Sequence, residues 1–386
     1  MKRIESIDLF RGLTIAMMIF VNDVASVPAA PSWLHHAGAQ TDGMTLPDLV
    51  FPAFLFIVGM VIPIALEKRL KEGLLPSLFH IGERSLALII MGVMMLNSGS
   101  YNAELSFLPK PVWQLLMYVS FFLIWNMWAD TSKAKNIIPK IGWLLLLFLA
   151  GFYRRGNGGE IFWLRTGWWG ILGLIGWSYA LVSLIYLWFR NNKAMIILSM
   201  SFCVFLFIAE VSGRFASIQP LVDFIHPGQH LGTHSLIVLC GLMAGLGITE
   251  KSHKKGMSFI LIEGFVLFLA GWLLHSQYIV SKIQATPVWA FWSAGWCCLI
   301  FVVVYFLTDV KKWDSWGKPF QPSAQNPLTA YLLPAVFYIL FDLLSIPYFS
   351  WGKSGPGLGI IRALLFTALI LFTTHLLTRF KVRLKL

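Results

Sequence analysis

Charge is what this sequence has least of. Asp, Glu, Lys and Arg make up 12% of its 386 residues while 57% are apolar, whereas a soluble domain carries about a quarter charged residues. A water-soluble globule is excluded on that ground, and a mean hydropathy of +0.72 points to a lipid-facing chain. Cysteine is scarce too. Cys203, Cys240, Cys297 and Cys298 all fall in apolar segments, where they read as small packing residues rather than as a disulfide framework or a metal set. Long polar stretches are missing: the loops near 28–45, 98–111, 154–167, 212–230 and 308–326 are each too short to bury a core of their own. One domain over residues 1–386 is therefore expected.

What is present is a succession of apolar windows of about 19 residues, the length a helix needs to cross hydrocarbon. Twelve are expected: 7–27, 46–66, 81–97, 112–128, 139–153, 168–189, 194–211, 231–249, 257–275, 286–307, 327–346 and 359–379. The windows 139–153 and 194–211 are weak, so the range is ten to twelve spans. Of the 30 Lys and Arg residues, a cytoplasmic N-terminus places 21 inside, among them Lys2, Arg3, Lys133 and Lys251, and 7 outside, including Lys282 and Lys353; Arg11 and Arg362 fall within spans. The positive-inside rule then predicts both termini in the cytoplasm. The expectation is an all-α polytopic protein of the bacterial inner membrane. Its +12 net charge reads as this topology signal and as attraction to anionic headgroups, and it calls for no nucleic-acid partner. The first window shows no signal-peptide cleavage pattern and is expected to remain as a working helix.

Four of the five longer loops face outward in this layout, so chemistry must be built from helix ends and those loops. Asp8 and Arg11, three apart in Ser6-Ile7-Asp8-Leu9-Phe10-Arg11-Gly12, share a helix face. They read as an ion pair at the inner boundary, or Arg11 reads as a contact for a cofactor phosphate, with the Lys311-Lys312 loop as a second candidate. At the far end of the same helix come Asn22 and Asp23, then Trp33, His35 and His36, then Thr45 and Asp48. Thr45, Pro47 and Asp48 make a good helix start, which explains Asp48 taken alone. It does not explain why Asn22, Asp23, His35 and His36 converge on the same helix ends. A His beside a carboxylate suits general-base work, because the acid fixes the imidazole tautomer and stabilises the imidazolium. A His can also carry an acyl group. The spacing from His36 to Asp48 is loose for zinc, and no metal is expected.

Elsewhere, Glu263 is expected to hydrogen-bond within the bundle, and Trp168 and Trp169 to sit in an interfacial aromatic belt. His230 and His234 flank Gly232-Thr233, a flexible break at a helix mouth. The basic, glycine-rich run Arg154-Arg155-Gly156-Asn157-Gly158-Gly159 falls outside, where it would grip an anionic glycan.

The stretch Ser6 to Gly12, followed by Phe20-Val21-Asn22, His36-Ala37, Gly43-Met44-Thr45 and Asp48-Leu49-Val50-Phe51-Pro52-Ala53-Phe54, resembles the heparan-alpha-glucosaminide N-acetyltransferase family, and most of all its bacterial members. The match is strong over about residues 4–66. Later echoes are Gln114, then Leu231-Gly232-Thr233 with Ser235, Gly241, Ala244 and Gly245, and Gln325-Asn326-Pro327-Leu328 with Tyr331. The resemblance implies a transmembrane acyltransferase that moves an acetyl group from cytoplasmic acetyl-CoA to the amine of a glucosamine-type sugar on the extracytoplasmic side. It implies a catalytic role for His36, with Asp48 and Asn22 beside it, and substrate or acetyl-CoA contacts from Arg11, Asp23, His35, Gln114, His234 and Asn326. His226-Pro227-Gly228 stands where the family usually has Asp-Pro-Glu, and Gln114-Leu115 where it has Gln-Arg; these departures bear on the acceptor more than on the reaction.

The partners this implies are acetyl-CoA, an amino-sugar or glycan acceptor, the lipid bilayer and a second copy of the chain in a homodimer. Two other functions draw on the same features. A transporter or flippase for a sugar or lipid-linked glycan would use the helix interruptions at Pro52, Pro63 and Pro334, although no inverted repeat is visible. A membrane O-acyltransferase shares the Asp-x-x-Arg-Gly opening but places a His where Asn22 and Asp23 stand.

Overall fold

The computed structural model describes residues 4–128, 134–156, 160–249, 252–352 and 355–386. Lys2, Arg3, Lys133, Lys251 and Lys353, used above for topology, and Asn157 to Gly159 of the basic run lie outside the described residues.

Among the described residues the fold is all-α, with no β-strand and two isolated bridges, Asn126–Leu384 and Arg155–Phe162. The helices in chain order are α1 (Glu5–Val24), α2 (Leu46–Arg69), α3 (Leu74–Ser98), α4 (Lys110–Trp125), α5 (Ala134–Gly151), α6 (Gly170–Phe189), α7 (Lys193–Val211), α8 (Gln219–Ile225), α9 (Ser235–Ile248), α10 (His253–His275), α11 (Pro287–Tyr305), α12 (Gln321–Gln325), α13 (Pro327–Leu343) and α14 (Pro356–Arg379). A π-helical turn, Gly228–His234, leads into α9 and a second, Phe306–Val310, leaves α11. Every expected window falls on one of these helices. Among the described residues eight, counting each π turn with its helix, are long and apolar enough to cross a membrane: α2, α3, α6, α7, α9, α10, α11 and α14. A ninth forms if α12, with the turn before it, and α13 count as one span bent by 78°. This is the architecture of a multi-pass membrane protein, since only a helix satisfies its own backbone in lipid without closing a barrel.

The centre of the bundle is α2 against α9. Small residues let the two backbones touch: a Cβ at Gly241 or Gly245 would strike the carbonyls of Phe56 and Met60, and one at Gly59 the carbonyl of Val238. The α9 span is 94% buried and α10 only 22%, so α9 is the axis and α10 part of the wall. At the start of α1 the Ser6 N–H donates to Asp309 Oδ2 at 2.9 Å, satisfying one of the donors that a helix start leaves open. The bend between α12 and α13 falls at Asn326, whose side-chain amide donates to Thr378 Oγ1 (3.2 Å) and to the Val382 carbonyl (2.9 Å). The segment after α14 lies back along the end of α4, with Met127 N–H on the Arg383 carbonyl at 2.9 Å and Lys385 N–H on the Trp125 carbonyl at 3.0 Å.

Two expectations change. Both carboxyl oxygens of Glu263 are buried without a hydrogen-bond partner among the described residues, and apart from Lys193 and Ser201 the residues lining the cavity beside it are apolar. Trp169 is no belt residue; it is 5% exposed and its indole N–H donates to the Phe224 carbonyl, which leaves Trp168 at the surface.

Candidate active site

The loop between α1 and α2 is laced to the loop between α10 and α11. Gly43 N–H donates to the Val280 carbonyl (3.0 Å) and Val280 N–H to Asp42 Oδ1 (2.9 Å). Ser281 Oγ and the Gln284 amide both donate to the Ala39 carbonyl, at 3.0 and 2.8 Å, and His275 Nε2 pairs with Asp42 Oδ2 at 2.9 Å. The Val280 amide and then His275 pull the Asp42 carboxyl below its ordinary value. Two segments more than two hundred residues apart in sequence become one rigid rim.

Asp48 stands in the first turn of α2, where a capping box with Thr45 starts the helix. Its Oδ2 receives the Ala37 N–H (3.1 Å), the Thr45 N–H (3.1 Å) and the Thr45 hydroxyl at 2.9 Å, a hydroxyl that also lies 2.6 Å from the His35 carbonyl. Its Oδ1 lies 2.6 Å from His36 Nδ1, and the Trp289 indole N–H fixes its backbone carbonyl at 3.0 Å. An ionised carboxylate only accepts, so Nδ1 of His36 carries the proton and Nε2 keeps a free lone pair. The carboxylate is 1% exposed and the imidazole 44%. The arrangement is a buried acid orienting an accessible base.

Lys282, from the second loop, completes the group. Its Nζ lies 3.3 Å from His36 Nδ1 and 4.0 Å from Asp48 Oδ1, and burial, opposed by the Asp48 charge, lowers it to about 8. In the sequence its one mark is a Lys on an outside loop, against the charge trend. His234 stands behind this group, its ring 5.9 Å from that of Trp289 and 5.7 Å from that of Phe51, with Nδ1 on the Gln229 carbonyl at 2.7 Å. The four-residue spacing of His226, His230 and His234 brings the three rings to centroid distances of 5.5 and 6.0 Å, the first pair edge-on and the second tilted, and no group of His, Cys, Asp and Glu among the described residues is gathered to hold a metal.

The other expected residues are dispersed. Asn22 is exposed near the end of α1, and its side chain makes no hydrogen bond among the described residues. Asp23 is committed to Arg362 of α14, at 2.9 Å, and does not touch His36. His35 turns inward, its Nε2 buried without a partner among the described residues. Gln114 is half-buried on α4, which packs against α5 and α13. Asn326 ties the α12–α13 bend, as described.

At the opposite end of α1, Arg11 donates to Asp8 (3.3 Å) and to the Ala324 carbonyl (3.4 Å). It borders a cavity of about 190 Å³ that shares Phe54, Val58, Arg84 and Pro327 with a larger cleft of about 370 Å³. The larger cleft is lined by Arg84, Arg383 and Lys385 together with apolar residues that include Ile15, Met18 and Phe54. Arg84 Nε is buried and lacks a hydrogen-bond partner among the described residues. Cations beside an apolar lining fit a phosphorylated group with a long arm. Arg84, Arg383 and Lys385 supply those cations; Lys311 and Lys312 do not line the cleft.

Fold and site together define a multi-pass helical protein with an acid-oriented histidine at one end of the bundle and a cationic cleft at the other. Residues 3–220, more than half of the chain, match the family described as "Domain of unknown function (DUF5009)", and the chain belongs to that family. Over 97 residues, 25% of the chain, it is 34% identical to the heparan-alpha-glucosaminide N-acetyltransferase of Homo sapiens and 35% identical to that of Mus musculus. The match spans 14% of the length of these curated relatives.

Proposed function

We propose that this protein is a transmembrane acetyltransferase that takes acetyl-CoA from the cytoplasm and acetylates the amine of a glucosamine-type sugar on the opposite face. The observation that carries this reading is the 2.6 Å contact between His36 and Asp48, with Nε2 left free on a half-open imidazole. The sequence similarity to the mammalian N-acetyltransferases supports it.

An amine acceptor is mostly an ammonium at neutral pH and cannot attack a thioester until a base removes its proton. His36 Nε2 takes that proton and Asp48 stabilises the imidazolium. The amine nitrogen attacks the thioester carbonyl carbon, the C–S bond breaks, and the thiolate leaves with the proton His36 returns; the second proton that the nitrogen sheds on becoming an amide passes through the freed His36 Nε2 to water. Acetyl-CoA phosphates are held by Arg84, Arg383 and Lys385, and the arm runs along α1 and α2. From Phe54 to Asp48 is six residues of helix, about 9 Å of rise. An acetyl-His36 intermediate is the second route; acetylated protein isolated without acceptor would identify it.

The test is acetyl transfer to glucosamine by the purified protein in nanodiscs. The reading is overturned if wild type transfers nothing, or if His36→Ala transfers at the wild-type rate. The same reading places about twelve spans in a bacterial inner membrane with both termini cytoplasmic. A reporter after Leu386 should then work only in its cytoplasmic form, and one near Gly38 only in its extracytoplasmic form. The 78° bend at Asn326 is what a carrier would use. Uptake of labelled sugar into proteoliposomes without acetylation would favour that alternative.

A further inference from the structure

The Lys282 ammonium has three N–H donors and no acceptor that uses them. His36 Nδ1, 3.3 Å away, already gives its proton to Asp48 and is no acceptor. Asp48 Oδ1, at 4.0 Å, is beyond hydrogen-bond reach, and its carboxylate already has four other polar groups within 3.1 Å. Among the described residues Lys282 has no other partner. A cation is thus held by charge and by the laced rim, its donors unused among the described residues, 3.3 Å from the acid-paired nitrogen of the base.

We propose that Lys282 is a catalytic residue that stabilises the oxyanion of the tetrahedral intermediate; this rests on the acetyl-transfer reading above. When the amine nitrogen bonds to the acetyl carbonyl carbon, the C=O π pair moves onto oxygen, and the alkoxide takes a hydrogen bond from the Lys282 ammonium. When that pair returns, the C–S bond breaks, the thiolate takes its proton from His36, and the nitrogen sheds its remaining extra proton to water through the freed imidazole. Lys282 keeps its own protons throughout. Such a donor acts where charge develops in the transition state, so it raises kcat rather than binding.

The groups facing Lys282 are His36 and Asp48 from the first loop and α2, and His234 from the π turn, with the Asp42–His275 pair lacing the loops that carry it. With Lys282 at about 8, its ammonium is present at neutral pH and is lost as pH rises through that value. Wild-type kcat should fall over the same range.

The experiment pairs kinetics with binding in nanodiscs. Lys282→Met should lower kcat about a hundredfold to a thousandfold with KM for acetyl-CoA nearly unchanged. Lys282→Arg should restore much of the rate and abolish the alkaline fall, because Arg stays charged. Independently of turnover, a CoA thioether ending in a methylphosphonate, anionic and tetrahedral where the acetyl carbonyl would lie, should bind Lys282→Met about a hundredfold more weakly than wild type, with plain CoA binding both equally. A wild-type kcat in Lys282→Met, a loss confined to KM, or equal phosphonate affinity would overturn the assignment. A wild type that neither binds CoA nor transfers acetyl overturns the acetyl-transfer reading and this inference with it; one that transfers acetyl with Lys282 dispensable overturns the inference alone.

Discussion

Two carboxylates meet two bases near the α1–α2 loop, and burial makes them different instruments. Asp23 receives Arg362 Nη2 at 2.9 Å and Nε at 3.1 Å, and the hydroxyls of Tyr338 and Tyr348 at 2.8 Å each. Arg362 also reaches the Asp23 carbonyl and Ser26, beneath the rings of Tyr348 and Phe349. Burial, then the Asp23 hydrogen bond, holds the Tyr348 phenol well above its ordinary value, so it remains a donor. Arg362 is 3% exposed and Asp23 0%, and nothing in the pair is left over for chemistry. In the second pair the carboxylate is equally hidden but its base is 44% exposed, with one nitrogen free. The same chemistry makes a strut where both partners are buried and a reagent where one faces out.

The largest effect that would sharpen this contrast is on activity. His36→Ala should reduce acetyl transfer by about a hundredfold to ten-thousandfold while thermal unfolding and CoA binding stay near wild type. The mirror experiment is on stability. Arg362→Met leaves a buried unpaired carboxylate and should cost about 3–5 kcal/mol, seen as a lower unfolding temperature in nanodiscs, with kcat per folded molecule unchanged. Adding Asp23→Asn to that variant should recover part of the loss, because no buried charge then remains.

Asp48→Asn probes the boundary between strut and reagent. It keeps an oxygen for the His36 N–H but loses the charge that stabilises the imidazolium, so its rate should fall between those of His36→Ala and wild type. His35→Ala should cost far less than either, as its ring does not join the dyad. A steady-state rate series over these variants orders them, and a His35→Ala loss as large as that of His36→Ala would break the comparison.

The smallest effect concerns the lacing of the rim. Asp42 has its folded carboxyl value depressed, so its contribution is present above the ordinary value of about 3.9 and lost as pH falls through the lower folded value. Amide exchange at Val280 and Gly43 should therefore be slow at neutral pH and accelerate only in strong acid. In Asp42→Asn the acid-dependent step should vanish. Acceleration already near pH 6 would mean that the loops are held by something else.

Much of this was legible beforehand, for reasons that are local. Helices follow from apolar windows, and the start of α2 from Thr45, Pro47 and Asp48. His36 and Asp48 were found together because only 12 residues separate them and one of them begins a helix. Asp23 looked equivalent, since its partner lies 339 residues away and nothing nearby announces it. Lys282, 246 residues from His36, appeared only as a charge on the wrong side of a topology count, and Arg84 as one more cytoplasmic cation.

The sequence by itself determined that the chain is a set of membrane-type helices, because a backbone in lipid must satisfy its own hydrogen bonds and hydropathy marks where it does so. It also marked His36 and Asp48 as a pair fit for chemistry, though not Lys282 or Arg84. Only the tertiary structure decided which carboxylate serves which base. That choice depends on what distant helices and loops bring within about 3–4 Å and on how much water they exclude, and neither is encoded in local spacing.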